Sequence, residues 1–434
     1  MRGPIEEFSL DGGDAEPAGH DRPDAERSRR RSPGEWRRSP WPWVTAAAVL
    51  VVAGALVSPR GDRPEPDPPP MVWNADVQPG RAPDVWAMGG QVVISEVDGV
   101  TAFDAAGARS WTVPLDDPAC TESGGELTCV YGEGAEAAIA TLTTEGEISA
   151  DRPFPGADVA HAIDDDLIVG GTASPDGLLW LGRYPADDRD GPLWQVDLEY
   201  PVDTGRWQGM TLSQGVATAF SGTDPHGWVS TAIAADAETG VQRHAVVRTA
   251  GGTSGFGGGD EVDERFQPMI LPMTGPELTV PGYPDAVIAG SEIYTAAGGE
   301  PLLEMHGQPL ATLGEDLIAT IVDPNRWTPE RPITRVERIE VRTGDPQWAL
   351  PRESHVGCPC IVHEGLFVAI DTRLDRDADP PSSPLVPQAL LGIDLDTGAH
   401  RWTLPIAAVP DGLAAGSDQV YVLSDGTLTA YTDT

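Results

Sequence analysis

A strand–turn–strand unit whose second strand begins near a tryptophan recurs along the sequence, and this repeat constrains the fold more than any other feature. Its two clearest copies span residues 100–115 and 391–406. Each copy has an apolar strand, a tight turn with a glycine, and a tryptophan four residues after that glycine, as in Gly107 with Trp111 and Gly398 with Trp402. Repeats at about 40–50 residues, each with room for about four short strands, indicate the blades of a β-propeller.

Weaker copies extend this repeat over most of the sequence. The tryptophan of the unit, or the residue at its position, falls at Trp73, Trp111, Ala150, Trp194, His244, Ala311, Trp348 and Trp402. The copy at Ala311 keeps only a turn glycine, Gly307, and the long gap before it holds a Gly-rich segment, 251–259, interpreted as part of an inserted loop. We therefore predict an all-β fold, an eight-bladed β-propeller over residues 72–434, with seven blades as the alternative.

The two ends of the repeat region complement each other. Residues 71–77 contain a Trp-led strand without a preceding turn, and residues 420–434 end where a Trp-led strand should begin. We predict that residues 72–77 pair with the final strand. This closure would remove the open sheet edge that otherwise templates aggregation.

The repeat pattern Ala-x-Asp-x-x-Thr-Gly-x-x-x-Trp resembles the tryptophan-docking motif of the quinoprotein, or PQQ-like, β-propellers. The resemblance implies that each tryptophan docks between neighbouring blades. The alternative role for these tryptophans is a platform for a carbohydrate or a cofactor. The residues concerned are Trp73, Trp111, Trp194, Trp348 and Trp402, with Gly107, Gly344 and Gly398.

The segments before the repeats predict a membrane anchor. Residues 1–40 have the composition of a disordered tail, and an Arg cluster near their end predicts that the tail is cytoplasmic. The apolar segment 41–58 predicts a transmembrane signal-anchor helix, with a cleaved signal peptide as the alternative. Residues 59–71 form a Pro-rich linker. The predicted protein is therefore a single-pass protein of the cell membrane with an extracytoplasmic propeller.

The chain has 4 cysteines in two close pairs, Cys120 with Cys129 and Cys358 with Cys360. Outside the membrane their expected state is the disulfide. Both pairs are predicted to lie in equivalent connections between blades. The small ring closed by Cys358 and Cys360 is expected to be more reducible than most. Redox exchange at that pair and a shared four-thiolate metal site are the alternatives to structural disulfides.

Charge excludes one class of partner. The chain carries 28 basic residues, all arginine, against 68 acidic residues, a net charge of -40. Nucleic acid binding depends on basic patches, so nucleic acid is not an expected partner. Residues 375–379 resemble the start of a calcium loop but lack its glycine and its final glutamate, and Asp164–Asp166 are expected to form a solvated turn. The sequence assigns no catalytic, cofactor-binding or metal-ligating residue.

The resemblance favours a binding or scaffolding module at the cell surface, with no enzymatic activity or cofactor expected. Its partner would be an unidentified extracellular protein or small ligand. One alternative is a quinoprotein-type dehydrogenase, which would require PQQ and calcium. The other is an extracellular sensor coupled to the cytoplasmic tail. Since propellers host many functions, the fold does not choose among these.

Overall fold

Short strands separated by tight turns make up nearly all of the described chain. The computed structural model describes residues 66–173, 178–185, 191–198, 206–213, 215–223, 229–249, 252–257, 286–289, 292–295, 301–304, 307–322, 334–374 and 385–433. Within these ranges, helix is limited to one 3-10 turn at Gly134–Glu136, and no helix is long and apolar enough to cross a membrane. The predicted tail and span, residues 1–58, lie outside the described residues. The all-β class is confirmed.

The described strands form eight antiparallel sheets, which we number in chain order. Sheet 1 contains β2 (Val85–Met88), β3 (Gln91–Glu96), β4 (Gly99–Phe103) and β5 (Arg109–Val113). Sheet 2 contains β6 (Ala119–Ser123), β7 (Glu126–Tyr131), β8 (Ala138–Leu142) and β9 (Ile148–Pro153). Sheet 3 contains β10 (Ala157–Ile163), β11 (Asp166–Ala173), β12 (Leu178–Pro185) and β13 (Trp194–Asp197). Sheet 4 contains β14 (Gly209–Ser213), β15 (Val216–Thr223), β16 (Val229–Asp236), β17 (Gln242–Thr249) and β18 (Gly252–Gly257).

The second half of the chain continues the same succession. Sheet 5 contains β19 (Ala286–Ala289), β20 (Glu292–Thr295) and β21 (Pro301–Glu304). Sheet 6 contains β22 (Gly307–Leu313), β23 (Asp316–Val322), β24 (Thr334–Glu340) and β25 (Pro346–Arg352). Sheet 7 contains β26 (His355–His363), β27 (Leu366–Leu374), β28 (Leu385–Asp394) and β29 (His400–Pro405). Sheet 8 contains β30 (Gly412–Ala415), β31 (Gln419–Ser424), β32 (Thr427–Thr432) and β1 (Met71–Asp76).

Sheet 8 joins the two ends of the described chain. β1 pairs antiparallel with β32, and Trp73 lies opposite Ala430 and Asn74 opposite Thr429. The predicted pairing of residues 72–77 with the final strand is therefore confirmed. In sheets 1 to 7 each strand pairs with its neighbour in sequence, which is the meander that short turns allow.

The core lies between consecutive sheets. One buried apolar cluster joins sheet 8 to sheet 1 through Trp73, Phe103 and Leu423, and another joins sheet 7 to sheet 8 through Val368 and Leu413. Similar clusters join sheets 1 and 2, 2 and 3, 3 and 4, and 6 and 7. Sequential four-stranded sheets packed in this way, with the chain ends sharing one sheet, are the organisation typical of a β-propeller.

Two assignments made from the repeat pattern are wrong. Gly307 and Ala311 lie in β22, the first strand of sheet 6, and not in a turn and a fourth strand. This copy has no tryptophan, so a glycine alone fixed the alignment. Residues 252–257 are not a loop, because they form β18 at the edge of sheet 4. Ladder hydrogen bonds involve only the backbone, so a Gly-rich strand leaves no alternating pattern of side chains. The other residues of this segment, 251, 258 and 259, lie outside the described residues.

Candidate functional site

Tryptophans on the last strands of several sheets contact the following sheet. In each case the indole N–H donates to a carbonyl oxygen in the turn between the third and fourth strands of that sheet. These hydrogen bonds are Trp73 to Ala105 at 3.1 Å, Trp111 to Thr144 at 3.0 Å, Trp194 to Ala237 at 3.1 Å and Trp348 to Leu395 at 2.7 Å.

The indole ring in each contact covers a glycine of the same turn. A Cβ on Gly107 would lie 2.7 Å from the Trp73 ring, and a Cβ on Gly398 would lie 2.6 Å from the Trp348 ring. These glycines also have φ values of +82° and +67°, which side chains rarely adopt. Close approach and backbone conformation therefore both require glycine. Gly146 and Gly240 make the same contact with Trp111 and Trp194.

Three further positions of the predicted repeat lie in a turn or on a fourth strand, as the pattern indicated. Gly344 has a φ of +73° and lies in the turn between β24 and β25. Ala150 lies in β9 and His244 in β17, the fourth strands of sheets 2 and 4, so at both positions a fourth strand carries a residue other than tryptophan.

Trp402 meets the end of the described chain in place of a turn. In sheet 8 the third and fourth strands are β32 and β1, so no turn joins them. Trp402 is 1% exposed and packs between sheets 7 and 8. Desolvation raises the pKa of the Asp433 carboxylate, and the nearby Trp402 indole opposes this shift. Arg401 also lies 3.6 Å from Asp433.

Two of the tryptophan contacts are reinforced by an arginine. The Arg338 guanidinium donates to the Leu395 carbonyl at 3.0 Å, the same oxygen that accepts from Trp348. Asp316, at the start of β23, holds Arg338 at 2.6 Å. In sheet 3 the same arrangement recurs: Arg183 is held by Asp166 at 2.7 Å and donates to the Ala237 carbonyl at 3.1 Å. Asp166 therefore takes part in a contact between sheets and is not merely part of a solvated turn.

The cysteines lie on strands rather than in connections between blades, and they form two disulfides. Cys120 and Cys129 are directly opposite each other on β6 and β7 and form a disulfide, as predicted. Cys358 and Cys360 form a disulfide within β26, the first strand of sheet 7. The predicted equivalence of the two pairs is wrong, because Cys120, Cys358 and Cys360 lie on first strands whereas Cys129 lies on a second strand.

A second set of polar residues lies at one end of the sheets, which we call the connection face. Here the chain enters each first strand and turns from the second strand to the third. The described segments of this face are 77–84, 97–98, 114–118, 132–137, 154–156, 206–208, 353–354, 406–411 and 425–426.

Arg81 ties three sheets together at the connection face. Its guanidinium donates to the carbonyl oxygens of Val130, Gly132 and Asp158, at 3.2, 3.5 and 3.4 Å. Its backbone N–H donates to Asp117 at 2.8 Å. Desolvation lowers the pKa of Arg81, but it remains a cation because arginine does not deprotonate in proteins.

Asp158 organises the approach to sheet 4. The residue is 6% exposed, and its carboxylate accepts hydrogen bonds from Thr172 at 2.6 Å, from Arg206 at 3.2 Å and from the Trp207 N–H at 3.3 Å. Desolvation raises the pKa of Asp158, and the hydrogen bonds from Thr172 and Trp207 oppose this shift. Arg206 also pairs with Glu133 at 2.6 Å. A buried carboxylate needs hydrogen-bond partners, and Asp158 has them. This cluster therefore holds the connection to sheet 4 in place.

A comparable buried pair lies between sheets 6 and 7. Arg352 donates to Asp371 at 2.6 Å, and the two side chains are 12% and 4% exposed. Thr372 donates to the carbonyl oxygen of His355 at 3.1 Å. Burial lowers the pKa of His355, although the charge of Asp371 opposes this shift.

The remaining charge of the connection face is negative. Besides Glu133, which pairs with Arg206, its exposed acidic residues are Asp84, Asp98, Asp116, Glu136, Glu353, Asp411 and Asp425. Asp84 and Asp411 flank β2 and β30, which are in contact, since a Cβ on Gly412 would lie 2.9 Å from Val85. Asp84 keeps a solvent-exposed surface but lies among so many protein atoms that desolvation raises its pKa to about 6. Desolvation also raises the pKa of Asp411.

No three His, Cys, Asp or Glu side chains in the described ranges are grouped so as to hold a metal. The Cys358–Cys360 disulfide contacts the carbonyl oxygen of Leu310 in sheet 6, within the core between two sheets. The candidate calcium loop at 375–379 lies outside the described residues.

The repeat pattern missed the arginines and the buried carboxylates. A usable signal was present: Asp158 stands among the apolar residues 157–160 and Asp371 directly follows the apolar run 366–370, where a charge needs a partner. The recurring Asp-Leu-Ile at 166–168 and 316–318 likewise marks both carboxylates that hold Arg183 and Arg338.

Comparison with known proteins gives similar backbones at low identity. No protein-family model matches the chain, and no curated protein matches it. The computationally designed Ika8 protein is 11% identical with a TM-score of 0.47, over 82% of this chain and 98% of the designed one. BamB from Moraxella catarrhalis is 14% identical with a TM-score of 0.33, over 80% of this chain and 84% of BamB. The quinohemoprotein alcohol dehydrogenase from Comamonas testosteroni is 12% identical with a TM-score of 0.41, over 84% of this chain and 76% of the enzyme. These similarities assign no activity to the chain.

Proposed function

We propose that this chain is a membrane-anchored, extracytoplasmic, eight-bladed PQQ-like β-propeller that acts as a binding or scaffolding module. The eight described sheets are its blades, and residues 41–58 are its anchor. The docking of tryptophan on a turn glycine between consecutive sheets supports the blade assignment. We further propose that the connection face takes a basic protein partner.

The observation that carries this proposal is the separation of charge at the connection face. Arg81 is committed to backbone carbonyls, while Arg206 and Arg352 are committed to buried carboxylates. The carboxylates of Asp84, Asp411 and the other exposed acids of the connection face remain accessible to solvent. A surface with its cations turned inward and its anions turned outward attracts a cationic partner and repels an anionic one.

The polar clusters at this face favour binding over catalysis. Asp158 already accepts hydrogen bonds from Thr172, Arg206 and Trp207, and Arg352 already donates to Asp371. Groups held in this way fix the connections in place. A rigid face bearing exposed acids therefore suits recognition of a partner more than proton transfer to a substrate.

Charge-neutralising variants test the proposed partner class. The triple variant Asp84→Asn, Asp411→Asn, Asp425→Asn removes exposed charge from the connection face. Its affinity for a fluorescent arginine-rich peptide, measured by anisotropy at low salt, should fall about tenfold, because each exposed ion pair contributes about 0.2–1 kcal/mol. The affinity of the unmodified chain should also fall as salt is added.

A matched control places the binding on one face. The variant Glu145→Gln, Glu238→Gln, Glu315→Gln removes three exposed acids from turns at the opposite end of the sheets. It should bind the peptide as the unmodified chain does. Equal losses in both triple variants would show that attraction is a property of net charge alone and would refute the proposed site.

Protease accessibility tests the anchor independently. In intact cells, an external protease should digest the propeller and leave the segment before residue 41 protected. Recovery of the whole chain in a soluble fraction would contradict the proposed anchor.

A further inference from the structure

The Cys358–Cys360 disulfide occupies an irregularity in β26. Gly357 pairs with Ile370 and Ile361 pairs with Val368, so residues 358–360 all lie opposite Ala369. The disulfide thus closes a bulge within a single strand, at the inner edge of sheet 7, and bridges no two strands.

A second irregularity faces this bulge across the contact between sheets 6 and 7. In β22, Pro309 pairs with Ala319 and Ala311 pairs with Ile318, so Leu310 is the extra residue. The carbonyl oxygen of Leu310 lies 3.2 Å from Cys360 Sγ and 3.6 Å from Cys358 Sγ. A disulfide sulfur has no hydrogen to donate, whereas each thiol of the reduced pair has one. The protein therefore already holds a hydrogen-bond acceptor suited to the dithiol form.

The other disulfide has a different setting. Cys120 and Cys129 are direct partners in a regular ladder that continues on both sides of them, from Ala119 to Ser123 on β6. Cys129 is 0% exposed in the core between sheets 1 and 2, and Cys120 is partly exposed, so the two disulfides differ in their ladder more than in their exposure. Because this ladder is regular, opening the Cys120–Cys129 bond would not release a bulge.

We propose that Cys358–Cys360 is a thiol–disulfide exchange site that a dithiol reductant opens while the sheets stay folded. A thiolate of the reductant attacks Cys358 Sγ, because Cys358 is partly exposed whereas Cys360 is 2% exposed. The bond between the two cysteine sulfurs breaks, and Cys360 leaves as a thiolate, takes a proton and donates to Leu310 O. The second thiol of the reductant then attacks the mixed disulfide and releases Cys358 as a thiol. Two electrons and two protons pass to the protein, and the reductant becomes a disulfide.

Opening the bond changes the contact between two sheets. The disulfide fixes residues 358–360 against the bulge at Leu310, in the cluster that joins sheets 6 and 7. Once the bond is open, residues 358–360 no longer form a closed ring, while the apolar contacts of this cluster and the hydrogen bond from Thr320 to the Val356 carbonyl remain. The redox state of the pair therefore sets how rigidly this bulge is held against sheet 6.

Graded reduction of the full-length chain tests this proposal. The unmodified protein is equilibrated with increasing dithiothreitol and quenched with iodoacetamide, and the alkylated cysteines are located by mass spectrometry. Cys358 and Cys360 should be alkylated at dithiothreitol concentrations about tenfold or more below those needed for Cys120 and Cys129, since exposed or constrained disulfides are the more readily reduced. Near-UV circular dichroism should stay unchanged over that range. Amide hydrogen exchange should accelerate in β22 and β26 alone.

Two results would overturn the proposal. One is alkylation of all four cysteines together, accompanied by loss of the near-UV signal. The other is selective reduction without any change in exchange at β22 or β26, which would remove the coupling between sheets. The double variant Cys358→Ser, Cys360→Ser is the control: alkylation of Cys120 and Cys129 should follow the same dithiothreitol dependence in it as in the unmodified chain.

Discussion

Trp348 and Leu395 join two consecutive sheets through one hydrogen bond, in which the indole N–H donates to the carbonyl oxygen at 2.7 Å. Trp348 is 8% exposed, and its ring covers Gly398 in the same turn. One side chain thus supplies apolar burial and satisfies a carbonyl of the neighbouring sheet. Because Trp73, Trp111 and Trp194 repeat this contact, four of the described interfaces between sheets share one design.

Truncation of this tryptophan should destabilise the fold strongly. We expect Trp348→Ala to lower the free energy of unfolding by about 3–5 kcal/mol, through lost burial and the cavity left behind. Trp348→Phe keeps much of the packing and loses the hydrogen bond, so it should cost less. Urea unfolding monitored by circular dichroism measures both. Leu193→Ala, at a residue 58% exposed, is the control and should have almost no effect. A similar small loss for Trp348→Ala would show that the contact does not hold the sheets together.

The arginine on the same carbonyl oxygen should depend on its carboxylate. Arg338 and Asp316 are 22% and 14% exposed, so removing either leaves a partly buried charge without its partner. We expect Arg338→Leu to cost about 2 kcal/mol of stability, the scale for hydrogen bonds to charged groups. The double variant Arg338→Leu, Asp316→Asn should cost less than the sum of the single changes, because it leaves no uncompensated charge. Strict additivity in this cycle, measured by urea unfolding, would contradict coupling between the two groups.

The all-β class, the pairing of the chain ends and the Cys120–Cys129 bond could be predicted from the sequence, because each depends on residue types at regular spacings. Trp73 and the strand before Thr434 could be matched as halves of one unit. The strand at 252–257 could not be identified, because its ladder uses only backbone groups and glycine carries no pattern.

The contacts at the candidate site were harder to predict for a different reason. Asp158 lies in sheet 3 and Arg206 in the connection to sheet 4, and Arg81, which precedes sheet 1, donates to the Asp158 carbonyl. Side-chain partners so far apart in sequence depend on how the sheets pack, and a single sequence carries no record of that. Gly307 was wrongly assigned to a turn, because a glycine without its tryptophan is too weak a signal to fix a register.

A disulfide across the joined chain ends should stabilise the protein. Asn74 on β1 lies directly opposite Thr429 on β32. The variant Asn74→Cys, Thr429→Cys would link them and close a long loop, which reduces the entropy of the unfolded chain and should add about 2–4 kcal/mol. The comparison is between the oxidised double variant and each single cysteine variant, by thermal unfolding. If the bond forms and stability does not rise, the pairing of β1 with β32 is not retained up to the global unfolding transition.

The carboxyl group of Asp84 should make stability depend on pH. Desolvation raises its pKa from 3.8 to about 6 in the folded protein, so the folded state holds this proton more tightly than the unfolded state does. The contribution of this group to stability is therefore lost as pH rises from about 4 to about 6. Asp84→Asn keeps an acceptor for the Val85 N–H and removes the charge. The variant should melt at a higher temperature than the unmodified chain at pH 7.5, and this advantage should shrink as the pH falls through that window. Asp116→Asn, which removes an exposed charge from the same face, is the control for net charge. An advantage of Asp84→Asn that is the same at pH 4 and pH 7.5 would show that desolvation of this carboxylate is not its cause.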